Sequence, residues 1–581
     1  METKENRPFS NSHFVGYINS VNPQFLTAHI PSSSLLSLYH RYGEKRHPGV
    51  VGSYVVIEGE EFGFIGRIIE LNLAEKERLS LTERNFEKED FHPTAKIEIL
   101  ISFNYFDPDQ INKGLDAFPH IGAKVFSCHP DFLQRYLIKF GLNSNSDSGL
   151  FNFASLSTDE NVSVSVSAQS LFSRHCAIVG TTGGGKSWTV AKLIEEMIAQ
   201  KGKMVLIDAT GEYKTFDGCP GVKTTNLGID SCFHYTRLGI GDLFYLLRPS
   251  DKVQRPKLME AIRSLKMLKI NKGKDLKVKA ADGTTLSVLA EDGILKKSGS
   301  PKKAYEGFYY MHIKDVAKDN LDLDIRNLAR QVVQECIYDS DNRGSPGNYG
   351  GQSESDVSFC ASLISRINNL VVTEIFQKVF GFNEPEPGVN DLVTILESFL
   401  ASEDKLLRIS LDGVAFDFQA REILVNAIGR NLLGKARKRE FLNNKSLVVF
   451  VDEAHQFLNK TIQDEYFSAQ PLDAFDLIAK ECRKYGLFLC LATQMPRDIP
   501  IGTLSQMGTF IVHRLINKYD KEAVENACSS ANKSSLSFLP ILGRGEALLI
   551  GVDLPMPISV KIREPNIKPD SSTPQVLPPQ I

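Results

Sequence analysis

Residues 176–189 read Cys176-Ala177-Ile178-Val179-Gly180-Thr181-Thr182-Gly183-Gly184-Gly185-Lys186-Ser187-Trp188-Thr189, an apolar run joined to a helical run through G-x-x-x-x-G-K-S. Glycines at 180 and 185, with two more between them, let the backbone wrap an anion and aim its N–H groups inward. The helix that follows presents its positive end to the same anion. Lys186 is placed to reach the β and γ phosphates of a nucleotide, and Ser187 supplies the hydroxyl that a bound magnesium takes. Gly180, Thr181, Thr182, Gly183, Gly184, Gly185, Lys186, Ser187 and Trp188 are therefore the candidate ATP contacts, with Ser187 also a magnesium ligand. Val190, Ile194, Met197 and Ile198 recur at helical spacing, which predicts a helix with one face against a sheet. That context separates the motif from a glycine-rich turn holding a chance lysine.

Such a cradle needs carboxylates beside it. Leu447-Val448-Val449-Phe450-Val451-Asp452-Glu453 is an apolar strand ending in two. Asp452 is expected to hold magnesium, directly or through water, and Glu453 to orient and polarise the attacking water. Alone, an acidic strand end more often just faces solvent. Leu489–Gln494 is a second buried-type strand, ending in Thr493 and Gln494, of which Gln494 is the better candidate for sensing the γ phosphate. Asp208 and Glu212, in IDATGEY, end a further strand, and ligands gather at the carboxyl ends of parallel strands. Arg174, Arg483 and Arg514 are candidates for neutralising phosphate charge, in cis or from a neighbouring subunit, with surface ion pairs as the alternative.

Working outward, the 581 residues are too many for one core, so two to four domains are expected. A net charge of -3 excludes a protein that coats nucleic acid by bulk charge, so any DNA contact must come from a local basic surface. Nine cysteines without a C-x-x-C pair argue for reduced thiols rather than a zinc ribbon. The N-terminus lacks a signal-peptide apolar core and no run approaches a membrane span, which predicts a cytoplasmic protein without membrane contact.

Residues 1–110 carry FVGYI, FLTAHI, GVVGSYVVIEG, EFGFIGRIIEL and KIEILISF between turn residues, the grammar of a small β-barrel. Such a domain offers strand edges and loops for docking another protein. Residues 111–170 are expected to be a connector with final barrel or linker strands, ending in Val162-Ser163-Val164-Ser165-Val166. The α/β core takes 171–250 and 401–562 as a largely parallel sheet, with KLLRISL a strand and 417–437 a helix. Between them, 251–400 reads as a mainly helical insertion, with helices over Leu328–Ile337 and Leu363–Leu370. The lysine-dense SLKMLKINKGKDLKVKA before these is read mostly as a solvated surface. The tail 563–581 is proline-rich and expected to be extended.

With these residues in place, the chain resembles the HerA branch of the HerA/FtsK superfamily of hexameric DNA-translocating ATPases. RHCAIVGTTGGGKS, DATGEY, VDEAHQFL, ECRKYGLFLCLATQMP, SQMGTFIVHRL and GRGEALLIGVDLP carry the resemblance, in that order, over nearly the whole chain. It implies a RecA-like P-loop core, nucleotide roles for Lys186, Ser187, Asp452 and Glu453, a sensor role for Gln494 and arginine contributions from Arg174 and Arg483. It further implies a homohexamer on double-stranded DNA, working with a separately encoded nuclease or a sirtuin-like effector in DNA-end processing or antiphage defence. Ala209 and Thr210 stand where the family often has Pro and His, and Cys482 where Gly is common; none of these touches the phosphate chemistry. Two other readings share the motifs: an ATP-binding platform that organises an effector with little translocation, and a coupling ATPase of a conjugation or secretion apparatus.

Overall fold

The computed structural model describes residues 8–571 apart from 38, 42–43, 47–49, 74–90, 107–116, 142–148, 281–282, 342–343, 383–387, 415–418, 444, 459–471, 529, 532 and 555. The tail expected to be extended thus lies largely outside the described residues. The chain divides into two compact units: Met1–Met204 with Asn443–His455 and Ala479–Ile581, and Val205–Leu442 with Gln456–Ile478.

The first unit begins with a closed six-stranded barrel. Its strands run in the order Phe14–Val21, Leu26–His29, Thr94–Asn104, Phe62–Asn72, Tyr54–Glu58 and Lys124–Ser127, the last closing back on the first. Alternation sends Val15, Leu26, Val55, Ile57, Phe64, Ile68 and Ile97 into one interior cluster. The expected strands form, and the four-residue Lys124–Ser127, beyond the expected boundary at 110, completes the ring. Closure pairs both edges of every barrel strand, so loops rather than strand edges are what this domain offers a partner. Arg67, only 1% exposed, lies on a barrel strand opposite Glu98 and donates to its carboxylate at 2.9 Å and to Ser535 Oγ at 2.8 Å. A buried guanidinium must be paired in this way, and the bond to Ser535 ties the barrel to the far end of the same unit.

The sheet of that unit runs Ser163–Ser167, Leu150–Leu156, Ile558–Ile562, Glu546–Gly551, Thr509–Val512, Cys176–Val179, Leu487–Thr493, Leu447–Val451. The last four strands pair in parallel, and the others antiparallel. The parallel four are near-continuous apolar runs because both of their faces are covered. Leu150–Leu156 and Ser163–Ser167, expected in a connector, extend this sheet instead: Leu150–Leu156 hydrogen-bonds to Ile558–Ile562. The helix Lys186–Ala199 follows the phosphate loop and buries Val190, Leu193, Ile194 and Met197.

In the second unit, Lys203–Asp208, Leu406–Ser410 and Val222–Asn226 lie side by side, and the last two pair in parallel. The helix Ala420–Arg437 matches the expected one. The insertion holds the helices Gln254–Ile270, Lys302–Met311, Leu328–Glu335, Glu354–Val372 and Leu392–Ala401. It also holds a three-stranded antiparallel meander, Leu276–Lys279, Thr285–Glu291 and Ile294–Lys296. The lysine-dense stretch is thus the end of one helix and the first strand of this meander, with Met267, Leu276, Val288 and Leu295 packed in its core. Among the described residues no single helix is long and apolar enough to cross a membrane.

Candidate active site

The phosphate loop leaves its strand at Val179 and closes into its helix through backbone that only glycine adopts readily: φ is 74° at Gly183 and 113° at Gly185. Gly180 is required for another reason. A Cβ there would stand 2.5 Å from the Cβ of His513, so the loop passes against that histidine with no room for a side chain. Neighbouring elements hold the loop from several sides. Gly180 N–H donates to the Thr493 carbonyl at 3.3 Å, Thr181 N–H to the Arg514 carbonyl at 3.0 Å, and Gly545 N–H to the Gly184 carbonyl at 3.3 Å. Lys186, 8% exposed, folds its amine back onto the Thr181 carbonyl at 3.2 Å, inside the curve of the loop. A glycine-lined concavity with an ammonium inside it and the Ser187 hydroxyl at its rim fits a nucleotide phosphate and the magnesium that accompanies it.

Strand register brings the remaining residues to the same edge. Val451 lies opposite Leu491, and Leu491 opposite Ala177. Asp452 and Glu453 therefore sit level with the end of the loop strand, two strand spacings or roughly 10 Å across the sheet. Asp452 is 6% exposed. Glu453 has φ 45°, left-handed backbone at a non-glycine residue, a conformation that persists where surrounding structure enforces it. Its Oε2 lies 3.3 Å from Nδ1 of His455, and the same nitrogen lies 3.3 Å from Thr493 Oγ1. Gln494 touches the loop directly: its Oε1 accepts from Thr182 Oγ1 at 2.6 Å. One hydrogen bond thus joins the phosphate loop to the residue that follows the strand Leu487–Thr493.

Two further histidines are buried in this unit, His513 beside the loop and His175 at the amino end of the loop strand. His513 is fully buried; its Nδ1 donates to the Glu546 carbonyl at 2.8 Å, and its Nε2 lies 2.8 Å from Thr189 Oγ1. Burial, with the Lys186 charge nearby, pushes its pKa down to about 4, so the ring is neutral and Nε2 accepts from Thr189. His175, whose pKa burial likewise pushes down to about 4, accepts from Leu489 N–H at 2.9 Å and contacts the Ala479 carbonyl at 3.1 Å. The pattern of apolar strand ends did not single out His455, His513 or His175. For His455, the signal is its place three residues after Asp452.

The arginines separate by edge. Arg514 adjoins the loop through its carbonyl. Arg174 precedes the loop strand and pairs with Asp553 at 3.2 Å, and Arg483 precedes the sensor strand. The four-residue strand after Arg174 spans about 10 Å and the seven-residue strand after Arg483 about 20 Å, and both arginines lie before the amino ends of these strands, at the edge of the sheet opposite the phosphate end. In the second unit, Asp208 is committed to local structure. Its carboxylate accepts from Gly211 N–H at 2.9 Å, Tyr213 N–H at 3.2 Å and Arg408 Nε at 2.8 Å, and Arg408 also chelates Asp217. Glu212 lies half-buried in the same turn.

The family profile described as "Helicase HerA, central domain" matches residues 151–347, and that described as "Helicase HerA-like C-terminal" matches 439–572. The chain belongs to the HerA family. A probable helicase of Methanocaldococcus jannaschii is 24% identical over 530 residues, 88% of this chain and 86% of that protein. The DNA double-strand break repair helicase HerA of Pyrococcus furiosus is 24% identical over 447 residues, 76% of this chain and 73% of that protein. Among solved structures, VirB4 of Thermoanaerobacter pseudethanolicus aligns with a TM-score of 0.44 at 14% identity, covering 72% of this chain and 97% of that one. As a HerA-family protein the chain is an ATPase built on a RecA-like P-loop core, and the loop, Asp452, Glu453 and Gln494 lie at one edge of its parallel strands.

Proposed function

We propose that this HerA-family ATPase is a motor that moves double-stranded DNA as a ring of six copies, handing it to a separately encoded nuclease or other effector in DNA-end processing or antiphage defence. The observation that carries the ring is the edge separation of the arginines. Arg174 and Arg483 lie before the amino ends of strands whose carboxyl ends carry the phosphate loop and Gln494, a placement that suits them to a neighbouring copy's site. A ring in which the far edge of one sheet meets the phosphate edge of the next supplies that arrangement. The DNA substrate is supported by the relatives' names as double-strand break repair helicases. The effector is supported by the barrel, whose loops lie free of any nucleotide motif.

In the site so completed, the loop N–H groups and Lys186 hold the phosphates of ATP, and Ser187 and Asp452 hold magnesium, which neutralises phosphate charge. Glu453, beside His455, orients water and takes its proton. Arg174 and Arg483 of the next subunit stabilise the charge that develops on the phosphoryl oxygens. Gln494, bonded to Thr182, is the group whose contact changes when the γ phosphate leaves.

Lys186→Ala is expected to lose ATP binding, and Glu453→Gln to bind ATP while turning it over ~100-fold or more slowly, since only the water-orienting base is lost. ATPase measured with and without blunt duplex DNA tests the motor. A parent protein whose rate is indifferent to duplex, or a Glu453→Gln protein at the parent rate, overturns this reading.

A further inference from the structure

Trp188 is the chain's single tryptophan. It sits immediately after Ser187, at the third position of the loop helix, half-buried. A large aromatic ring at the mouth of a phosphate site is unnecessary for holding phosphate. Two cations lie on that ring: Arg544 and Lys568, each 5.9 Å from its centroid. Both come from segments that are themselves anchored. Arg544 is carried by the turn Gly543–Glu546, which donates from Gly545 N–H to Gly184 in the loop and accepts His513 Nδ1–H at the Glu546 carbonyl. Lys568 is carried by a segment whose Ile567 N–H donates to Glu195 Oε1 at 2.6 Å, two turns along the face of the helix that holds Trp188. Arg544 and Lys568 are themselves exposed, so either can leave the ring without a buried charge being stranded.

A nucleotide with its phosphates on the loop must direct its ribose and base away from Lys186. The turn that carries Arg544 is bonded to the loop at Gly184, so the indole under Arg544 stands beside the loop. We infer that Trp188 is the platform on which the nucleotide's base stacks, with Arg544 and Lys568 closing over the ribose end, and that this makes the site selective for purine over pyrimidine triphosphates. The inference rests on the loop being the nucleotide site proposed above. A purine presents the larger π-face to an indole, and stacking is indifferent to which purine it is, so ATP and GTP are accepted alike and CTP poorly.

Because Trp188 is the sole tryptophan, its fluorescence in the full-length protein reports this position alone. ATP and GTP are expected to quench it saturably, and inorganic tripolyphosphate, which competes for the loop but has no base, to leave it nearly unchanged. Trp188→Leu should weaken ATP about tenfold while holding tripolyphosphate affinity within about twofold, and Trp188→Phe should keep most of the ATP affinity, as expected for a stacking contact. The inference is overturned if tripolyphosphate quenches as ATP does, if Trp188→Leu binds ATP as tightly as the parent, or if it weakens both ligands equally. Lys186→Ala separates the two readings. If that protein binds tripolyphosphate like the parent, the loop assignment itself fails, whereas loss of tripolyphosphate with an unaltered Trp188→Leu response leaves the loop standing and removes only the platform.

Discussion

Acidification should destabilise the first unit through two buried histidines, His513 beside the phosphate loop and His175 at the amino end of the loop strand. His513 is held with a pKa of about 4 against an ordinary 6.5, chiefly by burial. The unfolded chain therefore takes up this proton first as pH falls, and stability that is fully present above 6.5 is lost progressively as pH drops toward 4. At about pH 5 the unfolded imidazole is almost fully protonated and the folded one about a tenth so, which costs about 2 kcal/mol for this one residue. His175, also pushed to about 4 and in the same compact unit, adds a comparable amount. Together they remove about 4 kcal/mol, a large share of the ~5–15 kcal/mol that typically separates folded from unfolded domains. The assay is urea unfolding of the first unit, followed by Trp188 fluorescence, at about pH 7 and about pH 5. His513→Gln cannot titrate, so whatever its stability at neutral pH, its loss between the two pH values should be smaller than the parent's by about 2 kcal/mol. An identical loss in variant and parent would refute the claim that His513 is buried neutral between Thr189 and Glu546.

Two other perturbations follow from distances in the site. Gly180→Ala places a methyl 2.5 Å from the His513 Cβ, against a ring that is bonded at both nitrogens and cannot retreat, so it is expected to cost about 1–3 kcal/mol and to weaken ATP binding; unchanged affinity and thermal midpoint would remove His513 as the support of the loop. Arg174→Ala or Arg483→Ala subunits mixed with Glu453→Gln subunits should recover part of the ATPase that each lacks alone, because some composite sites then hold an intact carboxylate and an intact arginine; if no mixture exceeds the sum of its parents, catalysis is not shared across subunits.

What could be seen in the sequence follows from how local each feature's cause is. The phosphate loop is set by residues within ten positions of one another, and the carboxylates of Asp452 and Glu453 by the apolar run directly before them, so both were legible. The barrel was legible through alternation, except for Lys124–Ser127, where Val125 and Phe126 are buried side by side and no alternation shows. The strands at 150–156 and 163–167 alternate like barrel strands. Their place in the core sheet is decided by pairing with Ile558–Ile562, some four hundred residues on, and no local pattern encodes that. Arg67 is the same case in a single residue: an arginine in a strand reads as solvent-facing, and only Glu98 opposite and Ser535 from the far end of the chain make burial tolerable.

The arginines show where such reasoning can be carried further. Their motifs mark Arg174 and Arg483 as phosphate ligands, yet both precede the strands whose other ends bear the phosphate chemistry. In a parallel sheet the two ends of a strand cannot serve one site, so a residue at the amino edge that is needed for chemistry at the carboxyl edge must act on another molecule. Asp553 supports this assignment. The strand Glu546–Gly551 runs antiparallel to its neighbour, which brings its following turn to the amino edge, where Asp553 Oδ2 meets Arg174 Nε at 3.2 Å and holds the guanidinium in place while 39% of the side chain remains exposed. The Nε of Arg174 is buried against Asp553, and the exposed part of the guanidinium retains donors for a second acceptor. The proposed ring thus has a geometric reason: the loop, Asp452, Glu453 and Gln494 belong to one edge of the sheet, and Arg174 and Arg483 to the other.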